Sequence, residues 1–497
     1  MKSFLLILTT VVYLCVAVRT GSAAEQSTPN ILFVVVDDLN CRIGCYGDPV
    51  AKTPNLDRLA ARGVRFDRAY CNFPLCNPSR SSVLSGQLPT TTGVLDNKTW
   101  LVPPEGHPTL PGHFQQHGYA RAEYGKIWHE PGNNGEIDPA NPPEPRGRSS
   151  WYTPTQRAEQ RRTLPDFWTV ADNYDHYRAD PPPTSIVEAL RRSANAFGPV
   201  PVGNGTPDIT HADDAIRFLE SHNASAQPFF LAVGFQKPHV PLKAPKEYFD
   251  LYAADELPLP PDFANEPTLP AAADLRNTRR NLDLYADRDF TAAEARAALH
   301  AYYACVSYMD AQLGRVLDAI DAAGQADNTL IVLWGDHGWH LSEKGYFAKG
   351  LLFETAIRAP LIVVDPRRQK TAGQTCRRIV QFVDIYPTLA DLAGLPLPPA
   401  LEGTSLRSLL DHPDANWDKP ALTVQSRGWS LGRRLRTERW AYSEWDNDPS
   451  GAMLFDHDSD PHELRNLAAD PAHAATVAEL RKQLSRAPIS IAPNSQP

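Results

Sequence analysis

Seven consecutive residues, Asn30-Ile31-Leu32-Phe33-Val34-Val35-Val36, run without any alternation between apolar and polar side chains. A β-branched and aromatic run that is apolar on both faces suits a strand covered on both sides, the situation of a central strand in a parallel sheet. It ends in Asp37-Asp38, at the carboxyl end of the strand, where open α/β sheets build their sites. Adjacent carboxylates repel one another unless a cation lies between them, so a metal site is favoured over a pair of turn-forming aspartates. Two more runs repeat the pattern. Phe229-Phe230-Leu231-Ala232-Val233-Gly234-Phe235 leads into Gln236-Lys237-Pro238-His239, and Thr329-Leu330-Ile331-Val332-Leu333-Trp334-Gly335 delivers Asp336-His337-Gly338-Trp339-His340, with Lys349 in the loop beyond.

Helical signals alternate with these strands. Residues 53–63 carry a proline near a helix start and a glycine past its end, and residues 64–70 return as a strand. A helix is expected over 111–117 with Gly118 as its stop, then a strand leading to Tyr124-Gly125-Lys126-Ile127-Trp128-His129. Residues 213–222 read as a helix. Thr291 and Glu294 form a capping-box pair opening a long helix with Leu299, Tyr302, Val306, Met309, Leu313, Val316 and Ile320 on one face and Gly324 as its stop; that stripe is core. A strand over 360–364 and a helix over 384–393 follow. Beyond Asp411 the texture changes to short strands at 421–425, 431–437, 439–445 and 453–456 and a helix over 474–484. The fold class expected is α/β: a large, mixed, mostly parallel sheet sandwiched by helices over 25–412, with a smaller C-terminal antiparallel sheet plus helix over 413–497.

Residues 1–24 read as a secretory signal, with Lys2 at the start, an apolar run over 4–18 and the small residues Ser22-Ala23-Ala24 at the end; the alternative is a retained anchor, for which the run is short. Export to the periplasm or the exterior, or to a lysosome-like compartment in a eukaryote, and a mature chain without a transmembrane segment are the expectation. Cleavage removes Lys2 and Arg19, taking the formal charge from -9 to -11, and Cys15, leaving six of seven cysteines. Such a balance excludes a polyanion-coating or nucleic-acid-binding protein, so any anionic substrate has to meet a local cationic pocket. Six cysteines allow a disulfide or two, with Cys41 and Cys45 or Cys71 as members. The 46 prolines point to long connections, and residues 131–207, rich in Pro, Asn, Arg and Gly with scattered aromatics, read as a site rim.

Cys76-Asn77-Pro78-Ser79-Arg80 is the remaining landmark. With Asn77 as the cap and Pro78 in the first turn, Cys76 falls just outside a helix N-terminus, where free N–H groups favour anions. A reactive cysteine and a buried structural one are both open on this segment alone. The ends of four strands, or the loops after them, meanwhile carry Asp37 and Asp38, Lys126 and His129, His239, and Asp336 and His337. Carboxylates in this number make a hard oxygen site suited to Ca²⁺ or Mg²⁺.

These segments together resemble the type I, formylglycine-dependent sulfatases of the alkaline phosphatase superfamily, most of all their iduronate-2-sulfatase branch, through Gly125-Lys126-Ile127-Trp128-His129, the 229–234 strand, and Asp336-His337-Gly338-Trp339 followed by Ala348-Lys349. The resemblance implies that Cys76 is oxidised to formylglycine (3-oxoalanine) by a maturation enzyme that reads Pro78 and Arg80, and that its hydrate attacks sulfur. It implies Ca²⁺ held by Asp37, Asp38, Asp336, His337 and the modified Cys76, with Arg80 stabilising the ionised hydrate. Lys126 and Lys349 would grip the sulfate, with Trp339 beside them, His129 would exchange a proton with the nucleophile, and His239 would protonate the leaving sugar oxygen while contacting substrate. Gln87 departs from the arginine that the longer family signature often has. The implied activity is removal of O-sulfate from a sulfated saccharide, narrowly the 2-O-sulfate of iduronate-type uronic acids. Another sulfated polysaccharide, such as an algal one, or a phosphodiester or phosphonate on the same scaffold, are the alternatives.

Overall fold

The computed structural model describes residues 28–104, 106–129, 197–200, 207–223, 225–263, 291–347, 349–427, 430–446 and 448–487. The expected signal over 1–24 and nearly all of the 131–207 segment lie outside them. No helix among the described residues is long and apolar enough to cross a membrane.

The strands are β1 (Asn30–Val36), β2 (Val64–Tyr70), β3 (Ala120–Gly125), β4 (Phe197–Val200), β5 (Phe229–Phe235), β6 (Leu242–Pro245), β7 (Thr329–Gly335), β8 (Leu361–Val364) and β9 (Thr375–Gln381), then β10 (Ala421–Arg427), β11 (Ser430–Arg436), β12 (Trp440–Trp445) and β13 (Asp448–Asp456). Seven of them form one sheet in the order β3-β5-β1-β7-β8-β2-β9. Within it β8 runs antiparallel to both neighbours and every other pair is parallel. A second sheet, β10-β11-β12-β13, is antiparallel, and β4 pairs with β6.

All seven residues of β1 are buried, as its unbroken apolar run requires, because both faces of the sheet are covered. Leu32, Val34 and Val36 pack with helices α1 (Pro54–Arg62), α4 (Pro207–His222) and α5 (Ala292–Ala322). Ile31, Phe33 and Val35 pack with α2 (Cys76–Ser85), α3 (Leu110–Gln116) and α6 (Ile385–Leu392) on the other face. The capping box at Thr291 and Glu294 is formed, and the stripe from Leu299 to Ile320 is buried as expected. Helix α4 begins at Pro207, six residues before the sequence signal at Asp213. Helix α7 (Ala474–Arg486) closes the small sheet through Leu480 and Leu484. The six described cysteines are all free thiols, so neither expected disulfide partner set is joined.

Candidate active site

The four strands β3, β5, β1 and β7 are adjacent and parallel, and their carboxyl ends line up: Gly125 opposes Gly234, and Val36 opposes both Phe235 and Gly335. Lys126, Gln236, Asp37 and Asp336 therefore leave one edge of the sheet together. Two glycines make the exit close enough. A Cβ on Gly234 would lie 2.2 Å from the Lys126 carbonyl, and Gly125 turns at a φ of 79°. Asp38 turns back sharply at a φ of 61°, a left-handed conformation that aspartate tolerates better than most residues, and its backbone N–H donates to Asp336 Oδ1 at 3.0 Å.

Helix α2 covers this edge and is buried along its whole length. Its cap is Leu75, not Asn77, so Cys76 is the first helical residue rather than the one before it. The expected cap fails because the Asn77 side chain is committed elsewhere, donating to the carbonyls of Asp96 and Thr99 at 2.9 and 2.6 Å. Cys76 nonetheless points its sulfur into the strand ends. Lys349 Nζ lies 2.9 Å from it and His337 Nε2 3.4 Å, and His129 completes the ring with a hydrogen bond. Burial opposes ionisation of this thiol, but Lys349, Lys126, His337 and the His129 bond outweigh it and hold its pKa well below the ordinary value.

Arg80, one turn further along α2, is fully buried and joins the two acidic strand ends, with Nη2 3.1 Å from Asp37 Oδ1 and Nε 2.9 Å from Asp336 Oδ2. Its other nitrogen reaches the Lys126 and Ile127 carbonyls. Five donors in a rigid fork make arginine suited to such a junction. Lys126 pairs with Asp37, and Lys349 lies 2.6 Å from Asp38 Oδ1. Burial and Cys76 push Asp37 upward, yet Lys126, His239 and Arg80 prevail and hold it well below the usual carboxylate range. Burial pushes Asp336 up, against His337 and Arg80.

His337 and His239 have assigned faces. His337 Nδ1 lies 2.9 Å from the Gly338 carbonyl and His239 Nδ1 2.6 Å from the Val240 carbonyl, which places a proton on each Nδ1. The Nε2 atoms face the acids, that of His337 at 3.3 Å from Asp38 Oδ1 and that of His239 at 3.8 Å from Asp38 Oδ2. All ten expected polar residues thus meet at one place. Trp339 is buried beside them, with its ring 5.3 Å from Lys349 Nζ.

Sequence reasoning missed two members of the supporting structure. Lys237 stood in a motif without a role, and Asp208, fully buried, accepts from the backbone N–H groups of Gln236 and Lys237 at 2.7 and 2.9 Å. The signal for Asp208 was Pro207, a residue that opens helices, directly before an acid.

The donor set fits a divalent cation. Asp37, Asp38, Cys76 and His239 bring ligand atoms within 4.8 Å of one another, as do Cys76, Asp336 and His337. Asp38 Oδ2 is buried with no hydrogen-bond partner, a state that is costly for a carboxylate oxygen and natural for a metal ligand. A third group of the same kind, Glu354, His457 and Glu463, differs in being crossed by Arg434 and Arg436, which supply its positive charge.

Residues 29–395 match the family described as Sulfatase, and residues 342–489 match that described as N-sulphoglucosamine sulphohydrolase, C-terminal. The chain is 32% identical to iduronate 2-sulfatase of Mus musculus, over 94% of its own length and 96% of the relative's. It is 28% identical to an ulvan-active sulfatase of Formosa agariphila, over 93% and 81%. The structure of BT4656 in complex with its substrate D-glucosamine-2-N,6-O-disulfate shares the fold, with a TM-score of 0.70, 24% identity and coverage of 92% and 97%.

Proposed function

The chain belongs to the sulfatase family, and from that premise we propose that it hydrolyses an O-sulfate of a sulfated sugar by a formylglycine derived from Cys76. The observation that carries this is the ring of cations and acids around one sulfur atom at the head of α2. Lys349, His337, Lys126 and Arg80 are more positive charge than a structural thiol needs, and with the hydrogen bond from His129 they are arranged as a cradle for an anion.

Ca²⁺, which Asp37, Asp38, Asp336, His337 and residue 76 would hold, supplies positive charge that favours an ionised hydroxyl over a neutral one. Arg80, already between Asp37 and Asp336, stabilises the same charge. Lys126 and Lys349 take the outer sulfate oxygens. One hydroxyl of the aldehyde hydrate attacks sulfur and the S–O bond to the sugar breaks, His239 giving a proton from Nε2 to the departing oxygen. His129 then takes the proton of the second hydroxyl, the bond between carbon and the sulfate oxygen breaks, and sulfate leaves as the aldehyde re-forms. Water restores the hydrate. A thiol or a serine has no second hydroxyl and would be trapped.

Every residue from Cys76 to Ser85 is buried in the folded protein. A maturation enzyme reading Pro78 and Arg80 therefore has to act before the fold closes, which agrees with export of an unfolded chain.

Peptide mass around Cys76 tests the proposal. The native product should be lighter by H₂S and heavier by one oxygen, and Cys76→Ala should fold but release no sulfate. A native product that is all thiol and still active would overturn it. The likeness to the iduronate enzyme supports 2-O-sulfated uronic acid as substrate. Cleavage of an algal oligosaccharide with 2-O-sulfated iduronate ends left intact would replace that narrower reading.

A further inference from the structure

Lys237 is fully buried two residues before His239, yet both of its side-chain hydrogen bonds go to main-chain carbonyls and neither to an acid of the active site. Its Nζ donates to the carbonyls of His239 at 3.0 Å and Pro241 at 2.6 Å. The backbone of the same segment is held from the other side. Asp208, at the head of α4, spends one carboxylate oxygen on the Gln236 N–H and the other on that of Lys237. His239 N–H closes the turn on the Gln236 carbonyl at 2.9 Å. Burying an ammonium is costly unless its protons are met, so a lysine committed to main-chain carbonyls is more than an ordinary turn requires. Burial does push the Lys237 ammonium below the ordinary lysine value, and Asp208 opposes that shift.

What the clamp defines is the path of His239 and Val240. The imidazole is fixed through Nδ1 to the Val240 carbonyl at 2.6 Å, and Lys237 grips the carbonyls on either side of that one. Three successive carbonyl directions then set where Nε2 points.

We propose that Lys237, seated on Asp208, is the positioning residue that aims His239 Nε2 at the leaving oxygen, and that it takes no part in binding sulfate. The inference rests on His239 being the acid of the proposed function. It makes a chemical distinction. A sugar alkoxide needs a proton to leave, whereas the phenolate of an activated aryl sulfate does not, and a placed general acid is worth about 10² to 10⁴ in rate.

The test is steady-state hydrolysis of a sugar sulfate and of 4-nitrocatechol sulfate by the mature enzyme and by Lys237→Met, Asp208→Asn and His239→Ala. Lys237→Met should lose at least about tenfold more kcat on the sugar sulfate than on the aryl sulfate, with KM for both little changed, in the same direction as His239→Ala and less severely. If Lys237→Met does not fold, Asp208→Asn loosens the same segment without opening a cavity and should show the same selectivity. Equal losses on both esters, or a rise in KM on both, would overturn the positioning role. A His239→Ala variant without leaving-group selectivity would instead remove the acid assignment on which the inference stands.

Discussion

At the residue scale the site is governed by charge. Asp37 and Asp38 were legible as candidate metal ligands because two adjacent acids after an apolar strand have few other uses, and Lys126, His239, Asp336 and His337 as site candidates because they repeat that strand-end position. Lys349 had no such marker. It lies fourteen residues past the end of β7 in sequence and reaches Cys76 only because the loop folds back. Lys349 is 7% exposed and its ammonium bonds both Asp38 and the Cys76 sulfur, so Lys349→Met removes two charge-assisted contacts from the candidate site. At about 1.5–3 kcal/mol each, the loss in kcat/KM should be roughly 10² to 10⁴. Steady-state kinetics on a sulfate ester checks this, and a loss below tenfold would mean that Lys349 does not touch the sulfate.

At the element scale, strands buried on both faces were read correctly because short unbroken apolar runs rich in β-branched and aromatic residues, bounded by turn residues, fit a central strand better than a helix. Edge strands were harder. The strand β9, Thr375–Gln381, went unseen because Arg377 and Arg378 interrupt its apolar residues, as they do at the polar rim of a sheet. The short helical turn Glu354–Ile357 was equally silent, although its first residue anchors a buried charge network. Glu354 accepts from Tyr70 at 2.7 Å and from Arg436 at 3.2 Å. Burial works against its ionisation, but Arg436 and His457 lower its pKa from 4.5 to about 2, Glu463 opposing them. A depressed carboxyl contributes stability that is present above the unfolded value and is lost as pH falls, here between about 4.5 and 2, to a total on the order of 3 kcal/mol. Denaturant unfolding followed by tryptophan fluorescence at stepped pH should therefore show wild type losing stability more steeply than Glu354→Gln across that window. Parallel curves would show that Glu354 is not ionised in the native state.

At the scale of the whole molecule, the small C-terminal sheet braces the loop that carries Lys349. Tyr346, Leu351, Leu352 and Phe353 of that loop pack with Trp445, Met453 and Phe455 of β12 and β13. Arg434 on β11 donates to the Leu352 carbonyl at 2.5 Å and pairs with Glu463, which in turn accepts from the Glu354 N–H at 2.8 Å. Gln425 on β10 holds the Gly350 carbonyl, and Gly350 N–H donates to Pro74, two residues before Cys76. The three bonds from Gln425, Arg434 and Glu463 to that loop join residues 75 to 109 positions apart, beyond any local pattern, which is why the sequence showed a subdomain without showing its purpose. Arg434→Met tests that purpose. It leaves Glu463 buried with one cation fewer and should cost about 3–5 kcal/mol of stability. If the brace serves catalysis by holding Lys349, the variant should also lose on the order of tenfold in kcat/KM at a temperature where it is fully folded, and lose almost nothing further when made in the Lys349→Met background. Independent, multiplicative losses in the double variant would show that the C-terminal sheet stabilises the fold without positioning Lys349.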